Sequence, residues 1–142
     1  MEKTGEYVVD SSIVSKWYLV EAGSDHAIRL RDEFATGRLR LVAPTLLFYE
    51  VTNALRFSGV FNEEDLALAA RSLSKYEFGV WRPRGKLLEI SVQLSMRNGI
   101  TVYDACYMAL ARRLHTRLIT EDKGLLDKFP KDTVTINRLY RS

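Results

Sequence analysis

Short apolar runs rich in strand formers alternate along this chain with longer stretches of helical spacing, and that alternation narrows what it can fold into. Tyr7-Val8-Val9, residues 39–43, residues 77–81, Leu118-Ile119-Thr120 and residues 133–136 read as strands. Between them, apolar residues recur three and four apart, the period of a helix face. Helices that keep returning between short buried strands argue for a parallel sheet with helices on both faces, an α/β domain.

The boundaries follow from local signals. Residues 6–9 read as a strand, then 12–21 and 25–36 as helices parted at Gly23-Ser24, with Ser24 or Asp25 as the cap of the second. The strand 39–43 stops at Pro44. Leu47, Val51, Ala54 and Leu55 mark a helix from 45 to about 58. Asn62 with Asp65 three residues on opens a helix to about Tyr76, in the manner of an N-cap with an acid at N3. Residues 84–98 form a helix that Gly99 ends. A helix over 102–115, a strand over 117–120, a short helix over 122–128 and a strand over 133–136 complete the chain. No repeat, low-complexity segment or linker breaks it, so residues 1–142 read as a single domain.

Hydrophobic residues make up 46% of the chain, enough for a core without cross-links. The one cysteine, Cys106, cannot form an intrachain disulfide or a Cys-rich zinc site, which suits a reducing, cytoplasmic setting. The start, Met1-Glu2-Lys3-Thr4-Gly5, has no apolar signal core. No stretch approaches the roughly 18 apolar residues of a membrane span, so no membrane partner is expected. A net charge of +3, with Lys and Arg scattered, permits a polyanionic partner without requiring one.

Four carboxylates carry the chemistry. Asp10 ends the first strand, and Asp122 lies just past Leu118-Ile119-Thr120. Sites in open parallel sheets form at the carboxyl ends of strands. Asp10, Asp104 and Asp122 each have a plain local explanation as caps or first-turn acids; Thr101 and Asp104, for example, have capping-box spacing. Glu50 does not. It lies inside the helix of residues 45–58, on the face of Leu47 and Ala54, where a lone charge is costly unless paired or bound to metal. Arg56 or Lys16 as an ion-pair partner is the rival explanation. Four converging acids need a counter-cation, and hard divalent ions such as Mg²⁺ or Mn²⁺ take oxygen ligands of this kind. Phosphodiester hydrolysis is a common use of such clusters. Ser11 and Ser12 beside Asp10, Asn53 one turn after Glu50, and Thr120 two before Asp122 are candidates to hold the ligands.

At these residues the chain resembles the PIN-domain ribonucleases. Asp10-Ser11-Ser12 after an apolar strand resembles their opening motif. The segment from Pro44 through Glu50 and Asn53 to Leu55 resembles the second. Tyr103-Asp104-Ala105-Cys106-Tyr107-Met108-Ala109-Leu110-Ala111 is similar to the third, and Leu118-Ile119-Thr120-Glu121-Asp122 to the fourth. The motifs stand in family order at the compact size of VapC toxins. The resemblance implies a three-layer α/β/α domain with a mostly parallel sheet. It implies a Mg²⁺- or Mn²⁺-dependent endoribonuclease, with Asp10, Glu50, Asp104 and Asp122 as metal ligands and Asp10 as the central or bridging one. Products with 5′-phosphate and 3′-hydroxyl ends, a homodimer and a VapB-type antitoxin are implied as well. Ser11, Asn53 and Thr120 would support the ligands. Lys16, Arg56, Arg112 and Lys123 are the basic residues expected to meet RNA. Glu121 is expected to point outward. A catalytically weak scaffold binding RNA or protein, or a non-toxin RNA-processing nuclease, is the alternative.

Other chemistries lack their residues. His26 and His115, both expected on partly exposed helix faces, are too few for a paired-histidine ribonuclease. No Gly-rich phosphate loop or Gly-x-Ser-x-Gly elbow occurs. No second Asp follows Asp10 at the spacing of a phosphoaspartate phosphatase, and Glu6 is poorly spaced from Asp10 for a receiver domain. The larger aromatics, Phe57 among them, are expected in the core. Of the neighbours Trp17 and Tyr18, one is expected at a partner surface.

Overall fold

The computed structural model describes residues 5–141; Met1 to Thr4, read above as lacking a signal core, lie outside them. Five parallel strands form one sheet: β1 (Gly5–Val9), β2 (Leu39–Pro44), β3 (Gly79–Trp81), β4 (Leu118–Ile119) and β5 (Thr133–Val134). Their spatial order is β3-β2-β1-β4-β5. Parallel neighbours require crossovers, and helices supply them. The first carries α1 (Ser11–Val14) and α2 (Ser24–Ala35), the second α3 (Leu46–Phe57) and α4 (Glu63–Lys75). The third carries α5 (Gly85–Asn98) and α6 (Val102–Arg113), and the fourth α7 (Lys123–Lys128). A short α8 (Ile136–Leu139) follows β5. Crossovers of this kind are right-handed, so those moving from β1 toward β3 and those returning toward β5 cover opposite faces of the sheet.

Val8 and Val9 are fully buried at the centre, level with Val42 and with Leu118 and Ile119. Helix α6 packs on β1, β2 and β4 and along α5. Every residue from Ala105 to Ala111 is buried. Three alanines let neighbours approach from all sides, and a helix apolar all round belongs in the middle of a fold. Its N-terminus, with Thr101 accepting the Asp104 amide at 3.0 Å, is therefore held firmly.

Several expectations need correction. The helix expected over 12–21 stops early: α1 passes into a 3₁₀ turn at Ser15–Trp17. A tight loop follows, in which the Ser24 hydroxyl donates to Leu19 O and accepts from the Glu21 amide. Ser24 is so occupied, and neither it nor Asp25 caps α2; Gly23 takes that position at φ +86°, which its missing Cβ allows. The last strand ends at Val134 because Thr135 caps α8. His115 lies past α6, exposed, in the left-handed region at φ +53°. His26 is half-buried on α2 beside Asn137.

The aromatic expectations divide. Trp17 is buried in a cluster with Phe34, Tyr76 and Phe78, and the Tyr18 hydroxyl meets Ser72 at 3.1 Å, so neither is an exposed partner contact. Phe57, expected inside, is 73% exposed because it sits at the end of α3 opposite Leu55. No helix among the described residues is long and apolar enough to cross a membrane.

Candidate active site

Strand order changes direction between β1 and β4, whose crossovers leave to opposite sides. That is where a crevice opens at the carboxyl edge of such a sheet. Asp10 leaves β1 directly into this crevice, and Thr120 leaves β4 beside it.

Asp10 is a cap and more. One carboxylate oxygen, Oδ1, accepts the Ser12 amide at 3.0 Å and the Ser12 hydroxyl at 2.5 Å. The other, Oδ2, accepts the Thr120 hydroxyl across the crevice. Thr120 Oγ1 in turn accepts the Asp122 amide at 3.0 Å, and Ser12 Oγ accepts the Glu121 amide at 3.0 Å. Two hydroxyls thus bridge the ends of β1 and β4. Ser12, not Ser11, does this: a cap oxygen reaches the amide two or three residues on, which turns Ser12 toward Asp10.

Glu50 stands at the margin of the buried stripe Leu47, Val51 and Leu55 and is half-buried. Its sequence neighbours Asn53 and Ala54 are exposed, so the apolar face is narrower than the spacing suggested. Its partner is neither Arg56 nor Lys16. The buried Tyr107 hydroxyl, reaching from α6, donates to Glu50 Oε1 at 2.6 Å. Asp104 lies half-buried in the first turn of α6. Asp122 caps α7 through Oδ1, accepting the Leu125 amide at 2.9 Å, and is exposed. Glu121 is half-buried, and its backbone amide donates to Ser12 Oγ.

The electrostatics tie the four together. Burial pushes the Asp10 carboxyl up to about 6, against the pull of the Ser12 and Thr120 hydrogen bonds, and the Glu50 charge adds to the rise. Burial also raises Glu50; the Tyr107 hydrogen bond opposes this and the Asp104 charge adds to it. Asp104 is raised by burial and then by Asp122. The acids therefore stand as successive neighbours, Asp10 to Glu50 to Asp104 to Asp122. None is in an ion pair with Lys or Arg among the described residues. Nor, among those residues, do three His, Cys, Asp or Glu side chains already converge into a tight metal cage. The donor chemistry still fits a hard divalent ion: every donor is oxygen, the acids repel, and no Lys or Arg among the described residues pairs with them.

The basic candidates are dispersed. Lys123 adjoins Asp122 and is exposed. Lys16 is spent on the Glu21 carboxylate and Ala22 O. Arg56 lies over the Phe57 ring. Arg112 pairs with Asp132 at 3.1 Å, eight residues beyond Asp104 and so about 12 Å along α6. The sequence reading missed Tyr107; a tyrosine in mid-helix carries no local sign of a partner 57 residues away.

Fold and site together define a doubly wound α/β domain with an acidic crevice at its switch point. Within that class, the PIN domain matches residues 7–131, and the chain belongs to that family. Ribonuclease VapC3 of Pyrobaculum aerophilum is 30% identical over 128 residues, covering 87% of this chain and 94% of that protein. Exonuclease VapC9 of the same organism is 30% identical over 112 residues, covering 78% and 84%. The crystal structure of PAE2754 from Pyrobaculum aerophilum superposes with a TM-score of 0.68 at 29% identity, covering 96% and 95% of the two chains. A toxin–antitoxin complex from Klebsiella pneumoniae shares the fold, with a TM-score of 0.68 at 17% identity and 92% and 97% coverage.

Proposed function

We propose that this protein is a divalent-metal-dependent ribonuclease and the toxin of a toxin–antitoxin pair, acting in the cytoplasm. The observation that carries the reading is the string of four carboxylates at the β1/β4 crevice, three of them desolvated and none in an ion pair with Lys or Arg among the described residues. Asp10, Glu50, Asp104 and Asp122 would hold Mg²⁺ or Mn²⁺. Such an ion supplies a more acidic water and neutralises charge on the phosphoryl group. The protein's own part is to fix the ligands. Ser12 and Thr120 hold both oxygens of Asp10, Tyr107 holds one oxygen of Glu50, and the α7 amide end holds one oxygen of Asp122. Ser11 and Asn53 make no side-chain hydrogen bond to these acids among the described residues.

The names of the two Pyrobaculum relatives support nuclease chemistry, and the Klebsiella complex supports an antitoxin partner. Exposed Tyr49 and Phe57 on α3 and Val92 and Met96 on α5 offer apolar surface for a homodimer or an antitoxin. Cleavage of end-labelled single-stranded RNA tests the reading. Activity should need Mn²⁺ or Mg²⁺ and vanish in Asp104→Asn. Internal fragments would establish endonucleolytic cutting, and mononucleotides exonucleolytic cutting. Undiminished cleavage in EDTA would defeat the metal requirement. Ion binding without cleavage would leave only the scaffold reading. Sedimentation of the protein alone and with a candidate antitoxin decides the assembly.

A further inference from the structure

A cleft of about 360 Å³ lies around Trp81 at the end of β3. Arg82, Arg84, Lys86 and Arg113 line it, and no acidic residue does. All four cations are exposed, and none is in an ion pair among the described residues. Three come from one short stretch after β3. The fourth comes from the end of α6, with its guanidinium 5.8 Å from the Trp81 ring centre. Trp81 is half-buried, and its carbonyl accepts the Thr45 amide at 3.0 Å, which fixes the backbone beneath the ring. Across the chain as a whole, cations exceed anions by only three. A concavity with four unpaired cations and no acid is therefore a local concentration of charge, not the average surface.

We infer that this cleft binds a single-stranded RNA segment, with Arg82, Arg84, Lys86 and Arg113 on its phosphates and Trp81 against a base or sugar. Unpaired cations around an aromatic face are the combination that single strands use: charge follows the backbone, and the ring stacks on any base. A protein partner of ordinary mixed charge would leave four cations unmatched. The register places the cleft usefully. Trp81 pairs with Pro44 and Val8 pairs with Val42, so Trp81 stands level with Asp10 on the carboxyl edge of the sheet. Two strand spacings, about 10 Å, separate their backbones. An RNA strand anchored at Trp81 reaches the acidic crevice within a few nucleotides. The inference rests on the ribonuclease reading above and deepens it: the acids repel the substrate, and the cleft holds it beside them.

The test uses a 2′-O-methyl single-stranded oligonucleotide, which is not cleaved, in EDTA. Binding is followed by anisotropy and by tryptophan emission. The chain has two tryptophans, and Trp17 is buried, so Trp81 gives the responsive signal. Arg82→Ala/Arg84→Ala should weaken binding about tenfold or more. It should also reduce the magnitude of the salt slope by about 1.4, the value for two lost single-strand phosphate contacts. A charge-matched control, Arg38→Ala/Arg138→Ala, should change either quantity far less. None of these four arginines caps a helix through its side chain, so both doubles should fold; circular dichroism checks this. Equal weakening by the two pairs would reduce the effect to net charge and overturn the site. So would binding that leaves Trp81 emission unmoved. If the wild-type protein cleaves RNA but the Arg82/Arg84 variant binds as the wild type does, this inference fails and the ribonuclease reading stands. If the wild type neither binds nor cleaves RNA, both fail.

Discussion

Asp10→Asn should make the metal-free protein more stable at neutral pH, not less. Asp10 is 8% exposed, and its carboxyl is raised from 3.8 to about 6. The fold therefore favours the protonated form. That contribution is complete below pH 4 and is lost as pH rises through 6. By linkage the ionised group costs the fold about 3 kcal/mol at pH 7. Asparagine removes the charge and leaves the shape. Its amide oxygen can still accept from the Ser12 amide and hydroxyl, and its Nδ2 can donate to Thr120 Oγ1. Asparagine also caps helices as well as aspartate does. Rearranging the Thr120 hydroxyl takes back part of the gain, so about 1–3 kcal/mol should remain, several degrees in Tm for a domain of this size. The assay is urea or thermal unfolding in EDTA at pH 4 and pH 7.5. The variant should gain at pH 7.5 and converge with the wild type at pH 4. Added Mn²⁺ should then stabilise the wild type selectively if, as proposed, the ion binds the folded acid cluster and not the unfolded chain. A variant that is less stable at both pH values, with an unchanged pH profile, would mean that Asp10 is simply a cap.

Two other substitutions probe the support of the acids. Thr120→Val should cost about 1–3 kcal/mol in urea unfolding, because it strands the Asp122 amide and Asp10 Oδ2 without partners, while Thr120→Ser should be close to neutral. Tyr107→Phe keeps the buried ring and removes the donor to Glu50, costing about 1 kcal/mol. Without that donor the Glu50 carboxyl rises further. Mn²⁺ affinity, measured by calorimetry, should therefore fall several-fold at pH 6 and recover toward pH 8; a loss equal at both pH values would refute the link through Glu50.

Much of the frame was readable because each piece had a local cause. Asn62, Thr101 and Gly99 mark helix ends through their own chemistry, and Asp10 and Asp122 stand at strand ends where a parallel sheet collects its sites. The failures have local causes too. Helix periodicity carried the first helix through to residue 21, but the Ser24 hydroxyl and Gly23 favour a loop there, and that loop absorbs Lys16. Ser12 was in view beside Ser11, and cap geometry selects it. Tyr107 was not readable, since its partner is set by tertiary placement: its hydroxyl reaches Glu50 on a helix 57 residues earlier in the chain. Trp81-Arg82-Pro83-Arg84-Gly85-Lys86 lay in plain sight, yet it reads as scattered charge until Arg113 arrives from another helix.

The Thr120 to Asp10 bond joins residues 110 positions apart. Its formation needs β4 beside β1, a pairing that cannot form before β2, β3 and their helices have been made. A ribosome-bound chain that has emerged only through α5 has β1, β2 and β3 but neither Asp104, Thr120 nor Asp122. The acidic crevice is thus absent until residues 104–122 have been made and β4 has joined the sheet. Contacts of such long range are slow to close. Until Asp122 has been made and β4 is seated beside β1, the chain holds no assembled acid cluster for a cation to occupy.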